Sequence, residues 1–559
     1  MKSKKKGKQS KTQPEKIAPK LKNVKDIFEF LKENKKILLV FLVIILLVYA
    51  NIINGEFVTA DDPEIFRHVN SHTFVESLKT LHIPKIYMGT MNELFGLNPT
   101  AFHVASILMH LINTVLALCL TYMMTEDKKL SILATLVFCV HPAGSEAISW
   151  ISGRAYLFLF LFGAVIMIFY FLYRNSGNKN YLAASTLIYI FTLIFWRIPW
   201  ILVIFALLVG IDQLYLNKKI DFSKIKTYML FIISSGLYGA SEFIGRYTQR
   251  VESLEAKYKY DPVSTTPLIN RIPYTIYMAA RQLVWPMELT IYHEGKIITQ
   301  AIYTFMILVS ILVVGSVIYF WNKDRKTSVL IILIFLAIGP TFSPVVVAWF
   351  IADRYLYLPA LLFGILISRI LMKIEKEQKS KDLAVTAIVI LIIFYGIRTA
   401  VRTNDFKTNK NLWLATKKTS PFSRRVYNNL GDVYSKEGNW ALAIENFKRS
   451  VEISPNYAEA IHNLGFTYMQ AGDLENAKKY LMLSYQKNPT IFQALYKLGL
   501  IARHEGDYEL ALQYMNKALE IVPDDAQIKA TASQIQQEME QNSGVSIPQP
   551  QPVPAQTKP

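Results

Sequence analysis

The feature that most limits what this chain can become is a series of apolar runs between residues 37 and 400. About 17 to 20 apolar residues in a helix cross the ~30 Å of a bilayer's hydrocarbon. Runs of that kind lie at 37–53, 101–124, 130–146, 154–173, 181–196, 198–217, 226–244, 300–321, 328–347, 355–372 and 383–400. A further stretch, IPYTIYMAARQLVWPMEL at 272–289, carries Arg281 and ends in Trp-Pro, and reads as an interfacial or re-entrant helix. The pattern predicts an all-α, polytopic membrane domain of about 11 transmembrane helices over residues 37–400.

Charge orients the spans. The chain carries a net charge of +19, with many Lys in the first 36 residues, MKSKKKGKQSKTQPEKIAPKLKNVK at their head. The basic segment is long and no small-residue cleavage site follows the first apolar run, so the reading is a basic cytoplasmic tail at 1–36 and a signal anchor. The loops TEDKK, YRNSGNKN, LNKKIDFSKIKT, WNKDRKT and KIEKEQKSK are all basic, as cytoplasmic loops are. The alternate loops at 54–100, 143–154, near Arg197, at 245–299 and at 348–354 then face outward, with everything after residue 400. Charge spread over membrane loops, with no basic patch on a reader module, argues against a nucleic-acid partner. Cys119 and Cys139 both sit inside apolar runs and read as small buried hydrophobes, with neither a disulfide framework nor a CxxC pair.

After residue 400 the character changes. Leu430-Gly431, Leu464-Gly465 and Leu498-Gly499 recur every 34 residues. So do Ala443, Ala477 and Ala511, Phe447, Leu481 and Met515, and Pro455, Pro489 and Pro523. This is the tetratricopeptide pattern, in which small residues let two helices approach and Pro ends the second. The division is a linker at 401–423, three repeats and a capping helix at 424–541, and a Pro-rich tail at 542–559 too polar to pack.

Candidate chemistry gathers in the outward loops. Asp61 and Asp62, just past the first span, are either the N-cap of a short helix starting at Pro63 or an acid pair fit for a general base. His141, Glu146 and Arg154 lie in HPAGSEAISWISGRAY between two apolar runs, and are either the interfacial polar groups of a helix terminus or functional groups, since ionisable residues at membrane depth are costly. WFIADRYLYLP brings Asp353, Arg354 and Tyr357, and the Tyr residues also fit an interfacial aromatic belt. Arg154, Arg197, Arg281 and Arg354 are outward arginines at apolar borders. Each is either a snorkelling interfacial side chain or a ligand for phosphate, which suits a lipid-linked anion. No P-loop, HExxH or dinucleotide motif occurs, so ATP-driven transport has no support.

In order along the chain, TADDPEIF, HPAGSEAISWISGRAY, DRYLYLPA and NLWLATKKTSPFSRRVYNNLG resemble the transmembrane, tetratricopeptide-repeat-containing O-mannosyltransferases and their bacterial relatives, within the GT-C glycosyltransferases. The resemblance implies a sugar, mannose or another hexose, moved from a polyprenyl-phosphate donor to a protein hydroxyl on the non-cytoplasmic face. It implies Asp61 or Asp62 as base, Arg354 near the donor phosphate, and His141, Glu146, Asp353 and Tyr357 in the wall of the site. It implies an integral protein of a bacterial inner membrane that needs no cofactor beyond the lipid-linked sugar, with divalent metal left open. Gly144, Tyr156 and Asp353 depart from the family's His, Asp and Glu, a difference that bears on the sugar and the acceptor more than on glycosyl transfer itself. Two other readings stay open: transfer to a glycan or lipid, and a non-catalytic membrane scaffold that recruits partners through its repeats.

Overall fold

The computed structural model describes residues 20–59, 78–79, 81–196, 200–217, 220–242, 252, 268–293, 298–342, 351–380 and 382–542. Among these residues every regular element is a helix. The chain divides into two compact units, one built from residues up to 243 with 268–291 and 300–408, the other from 244–267, 292–299 and 409–559.

The first unit opens with α1 (Val24–Glu33), whose start is closed by a capping box between Asn23 and Asp26. Then come α2 (Lys35–Tyr49), α3 (Ile83–Phe95), α4 (Pro99–Thr125), α5 (Lys128–Val140), α6 (Ser145–Ser149), α7 (Ala155–Ser176), α8 (Lys179–Phe195), α9 (Ile201–Val209) and α10 (Ile225–Glu242). The unit is completed by α11 (Leu268–Val284), α12 (Gln300–Lys323), α13 (Arg325–Ala337), α14 (Tyr357–Gln378) and α15 (Leu383–Asp405). Six of the described helical stretches are long and apolar enough to cross a membrane: Lys35–Ile52, Pro99–Thr125, Ile151–Ser176, Gln300–Lys323, Asp353–Gln378 and Leu383–Asp405. A seventh, Lys128–Val140 with Pro142–Ser149, is bent by 51° at its break, and Lys179–Phe195 and Ile201–Leu216 are shorter apolar helices. The protein is therefore an all-α membrane protein.

The two ends of these helices differ in chemistry. At one end the basic loops meet acids: Lys20 pairs with Glu126 at 3.0 Å and Lys129 with Glu375 at 2.6 Å. Asp212 there takes Arg174 at 2.7 Å, and Asp324 takes Arg369 at 2.8 Å. Phe30 of α1 stacks on Tyr122 at 4.4 Å, tying the described part of the basic tail to this same end. At the other end lie His141, Glu146, Arg154, Asp353 and Arg354, because α5 leads away from Lys129 to His141 and α14 leads from Arg354 back to Glu375.

The second unit begins with α16 (Asn409–Thr419) and continues as three helix pairs: α17 (Arg424–Lys436) with α18 (Trp440–Ile453), α19 (Ala458–Gln470) with α20 (Leu474–Lys487), and α21 (Phe492–His504) with α22 (Tyr508–Ile521). The 34-residue spacing is explained by contact. A Cβ on Gly431, Gly465 or Gly499 would come within 2.7–2.8 Å of Phe447, Leu481 or Met515, so only glycine lets the paired helices meet. A second 34-residue periodicity accompanies it. Gly438, Gly472 and Gly506 take left-handed φ of 73°, 83° and 82°, and Asn439, Asp473 and Asp507 then cap the second helices through the backbone N–H of Leu442, Asn476 and Leu510. A last helix, α23 (Ala526–Asn542), buries Ile528 and Ile535 against Leu495, Ala511 and Met515, closing the apolar end of the stack.

Candidate functional site

The site is built where α5 breaks. Pro142 has no N–H to continue the helix. The chain instead makes a 3-10 turn at Pro142–Gly144, the short α6, a second 3-10 turn at Ile151–Arg154, and then α7. His141 holds the break in place. Its Nδ1 accepts the Ala143 N–H at 3.2 Å, which assigns the proton to Nε2, and Nε2 then donates to the Leu283 carbonyl at 3.0 Å. Tyr395 donates to the same carbonyl at 2.8 Å, and its ring lies 4.8 Å from the imidazole. His141 thus ties the end of α11 to the break, with both ring nitrogens occupied.

Glu146, fully buried on α6, faces the turn Asp353–Leu356 that precedes α14. One carboxylate oxygen accepts the Arg354 backbone N–H at 2.9 Å, and the other pairs with the Arg354 guanidinium. The guanidinium lies 5.0 Å over the Trp150 ring and 5.2 Å over the Tyr355 ring. Next to it in the chain, Asp353 points the other way. It accepts from Gln282 and from the Thr290 N–H, both at 2.9 Å, and lies 3.7 Å from Arg402. Arg402 also pairs with Asp405 at 3.1 Å and covers the Phe406 ring at 4.6 Å. Glu146, Arg354, Asp353, Arg402 and Asp405 therefore form one series of alternating charge at this end of the helices. Burial without such pairing would cost several kcal/mol per ion.

Arg154 sits on the far side of α6. It donates to the Ile151 carbonyl and to the Met88 sulfur, and lies 5.1 Å over Tyr87 and 5.9 Å over Phe102. Arg281 turns away from this group and pairs with Glu288 at 2.7 Å. Tyr357 is 1% exposed, and its hydroxyl meets His110 Nδ1 at 2.8 Å and accepts from Asn113 at 3.1 Å. It knits α14 to α4 within the helices. Gly144 stands against it: a Cβ there would lie 3.3 Å from the Tyr357 ring, close enough that the ring would have to shift by a few tenths of an ångström. Asp61, Asp62 and Arg197 lie outside the described residues; Thr59, two residues before Asp61, accepts the Trp150 indole N–H at 3.3 Å.

Three participants are missed by the sequence reading. Arg402 stands just past the last apolar run; its signal is a spacing of four from Arg398, which puts two cations on one face of α15. Gln282 and Thr290 have no signal, since nothing local links them to Asp353. Between the helices below Arg354, an apolar crevice is lined by Leu120, Phe160, Met167, Leu207, Leu358 and Leu362 from α4, α7, α9 and α14. Among the described residues no group of three or more His, Cys, Asp or Glu is arranged to hold a metal ion.

Family models for TPR repeats match residues 431–472, 458–490 and 492–525. Beyond the repeats, protein O-mannosyl-transferase TMTC3 of Homo sapiens is 23% identical over 64% of this chain and 43% of its own length. Over most of its length the chain is thus similar to proteins named protein O-mannosyl-transferases. A second relative so named, from Caenorhabditis elegans, is 23% identical over 73% of this chain and 59% of its own. Protein O-mannosyl-transferase TMTC2 of Mus musculus is 29% identical over 21% of this chain and 14% of its own. The chain thus spans about half the length of the longer-matching curated relatives.

Proposed function

We propose that this protein moves a sugar, mannose or another hexose, from a polyprenyl-phosphate donor to a hydroxyl of a protein on the non-cytoplasmic face. The observation that carries this reading is the junction of two unlike surfaces: the Glu146-held Arg354 at the loop end and the apolar crevice directly below it along α14. Leu358, in the first turn of α14 and four residues past Arg354, lines that crevice. An amphipathic donor, a prenyl chain with a phosphate at its end, carries its apolar and anionic parts in the same order. The names of the relatives supply the reaction class and the protein acceptor.

In this reading Asp61 or Asp62 takes the proton of the acceptor hydroxyl as its oxygen attacks the sugar C1, and the bond from C1 to the phosphate oxygen breaks. The lipid phosphate leaves with the electron pair. Its charge is met by Arg354, whose side chain is aimed by Glu146, with Arg154 and Arg197 as further cations of the outward side, while Arg281 is taken by Glu288. His141, Asp353 and Tyr357 fix the loops and helix starts that carry these groups. The N-terminus is cytoplasmic, the membrane is a bacterial inner membrane, and the repeats present a face to the protein acceptor or to a partner.

The test is transfer of radiolabel from polyprenyl-phosphate mannose to cell-envelope proteins by the purified full chain, beside Asp61→Asn and Asp62→Asn. Transfer lost in one variant supports the reading and names the base. Transfer equal in both variants overturns the assigned base. A folded protein that transfers neither mannose nor another polyprenyl-linked hexose overturns the enzyme.

A further inference from the structure

Three aromatic rings from three separate elements meet beside Arg354. Tyr156 stands in the first turn of α7, Trp200 precedes α9, and Tyr355 lies in the turn before α14. Their centroids are 5.5 Å apart for Tyr156 and Tyr355, 4.9 Å for Trp200 and Tyr355, and 5.7 Å for Tyr156 and Trp200. The interplanar angles are 43°, 43° and 78°, so the rings are tilted faces of a cup and not a flat stack. All three are partly exposed, unlike Tyr357 at the start of α14. Interfacial belt aromatics sit at the headgroup level; these pack against one another, and Tyr355 lies under the Arg354 guanidinium.

The same three segments lead from the cup to the crevice. Phe160 follows Tyr156 by four residues, Leu207 follows Trp200 by seven, and Leu358 follows Tyr355 by three, and all three line the crevice. The first spacing keeps Tyr156 and Phe160 on one face of α7, while Trp200 and Tyr355 stand in the turns that lead into α9 and α14. Going outward, a ligand in this site would meet apolar side chains, then the Arg354 cation, and beside that cation three aromatic faces.

We propose that Tyr156, Trp200 and Tyr355 form the platform that holds the pyranose ring of the transferred sugar. This rests on the donor reading above and adds to it the residues that recognise the sugar. Aromatic faces carry negative quadrupole charge. The C–H groups on one side of a pyranose are weakly positive and apolar, while its hydroxyls lie round the rim. Rings therefore take the sugar's face, and its hydroxyls stay free for other partners. The Arg354 guanidinium lies 5.2 Å over the Tyr355 ring, so a phosphate held by that cation stands next to the ring cluster, and one glycosidic oxygen joins phosphate to pyranose. Tyr156, which departs from the resembled family's aspartate, supplies one wall of this cup.

The experiment uses the full chain in nanodiscs. Binding of polyprenyl-phosphate mannose is compared with that of polyprenyl phosphate bearing no sugar, for wild type, Tyr156→Ala and Trp200→Ala, with Tyr156→Phe and Trp200→Phe as ring-keeping controls. Loss of a stacking face should weaken the mannose-bearing lipid about tenfold and leave the bare lipid within about twofold, while the Phe variants stay near wild type. Equal weakening for both lipids, or no weakening for either, overturns the platform. Saturation-transfer NMR with methyl mannopyranoside separates the two proposals. If wild type binds neither lipid yet transfers saturation to the sugar's C–H protons, and the Ala variants do not, the donor reading falls and the platform stands. If there is no transfer either, both fall.

Discussion

Glu146 holds Arg354 twice, taking its backbone N–H at 2.9 Å with one oxygen and its guanidinium with the other, across a sequence separation of 208 residues. The backbone bond fixes where the turn before α14 begins, and the ion pair fixes where the side chain points. One carboxylate therefore positions both the helix start and the cation. Removing it in Glu146→Ala leaves a nearly buried guanidinium without its partner, and about 3–5 kcal/mol of stability should be lost. Thermal unfolding in detergent measures this. A Glu146→Gln, Arg354→Gln double variant should be less destabilised than the sum of the two singles.

Arg354→Lys keeps the charge and loses the planar fork. Lysine's single ammonium cannot serve Glu146 and a phosphate with the same geometry. The expected result is a rise in KM for the lipid donor of about tenfold, the worth of one charge-assisted hydrogen bond at ~1.5 kcal/mol. An unchanged KM with reduced kcat would assign Arg354 to a later step.

At Gly144, an added methyl must displace the Tyr357 ring, 3.3 Å away. Gly144→Ala should cost about 1–3 kcal/mol as overpacking. Tyr357→Phe should cost a similar ~1–3 kcal/mol by leaving His110 and Asn113 short of a partner. Because the phenyl ring still fills the space, combining the two substitutions reports whether ring crowding or hydroxyl loss dominates, read as shifts in Tm.

In the repeats, burial, with Lys497 adding repulsion, moves the His462 imidazole from 6.5 down to about 4. Below pH 6.5 the unfolded chain binds a proton that the folded chain refuses until about pH 4. Stability from this residue is therefore full above pH 6.5 and lost as pH falls toward 4. The Arg503 partner holds Glu538 below its usual range, and its contribution is also lost in acid. Tm measured from about pH 7 to 4.5 should fall in wild type and fall less in His462→Gln. Equal slopes would remove His462 from the account.

Much of the membrane portion can be read directly. Apolar runs at 101–124, 154–173, 300–321 and 383–400 match long helices at Pro99–Thr125, Ile151–Ser176, Gln300–Lys323 and Leu383–Asp405, because an unbroken apolar run in lipid has only the helix to satisfy its backbone. The run at 130–146 is less transparent. Hydropathy continues through it, but Pro142 ends α5 and the chain turns by 51°. Tyr357 reads equally as an interfacial tyrosine, and only packing shows it 1% exposed among helices.

Local pattern alone determined the helical class, the place of several long apolar helices, the end at which basic loops gather, and the repeats with their 34-residue period. These follow from hydrophobic periodicity and charge, which each segment carries by itself. The tertiary structure decided the partners: Glu146 with Arg354, Asp353 with Gln282, Thr290 and Arg402, and three aromatic rings in one cup. Such pairings depend on which faces the helices turn to one another, a property of side chains far apart in the chain that no single stretch encodes.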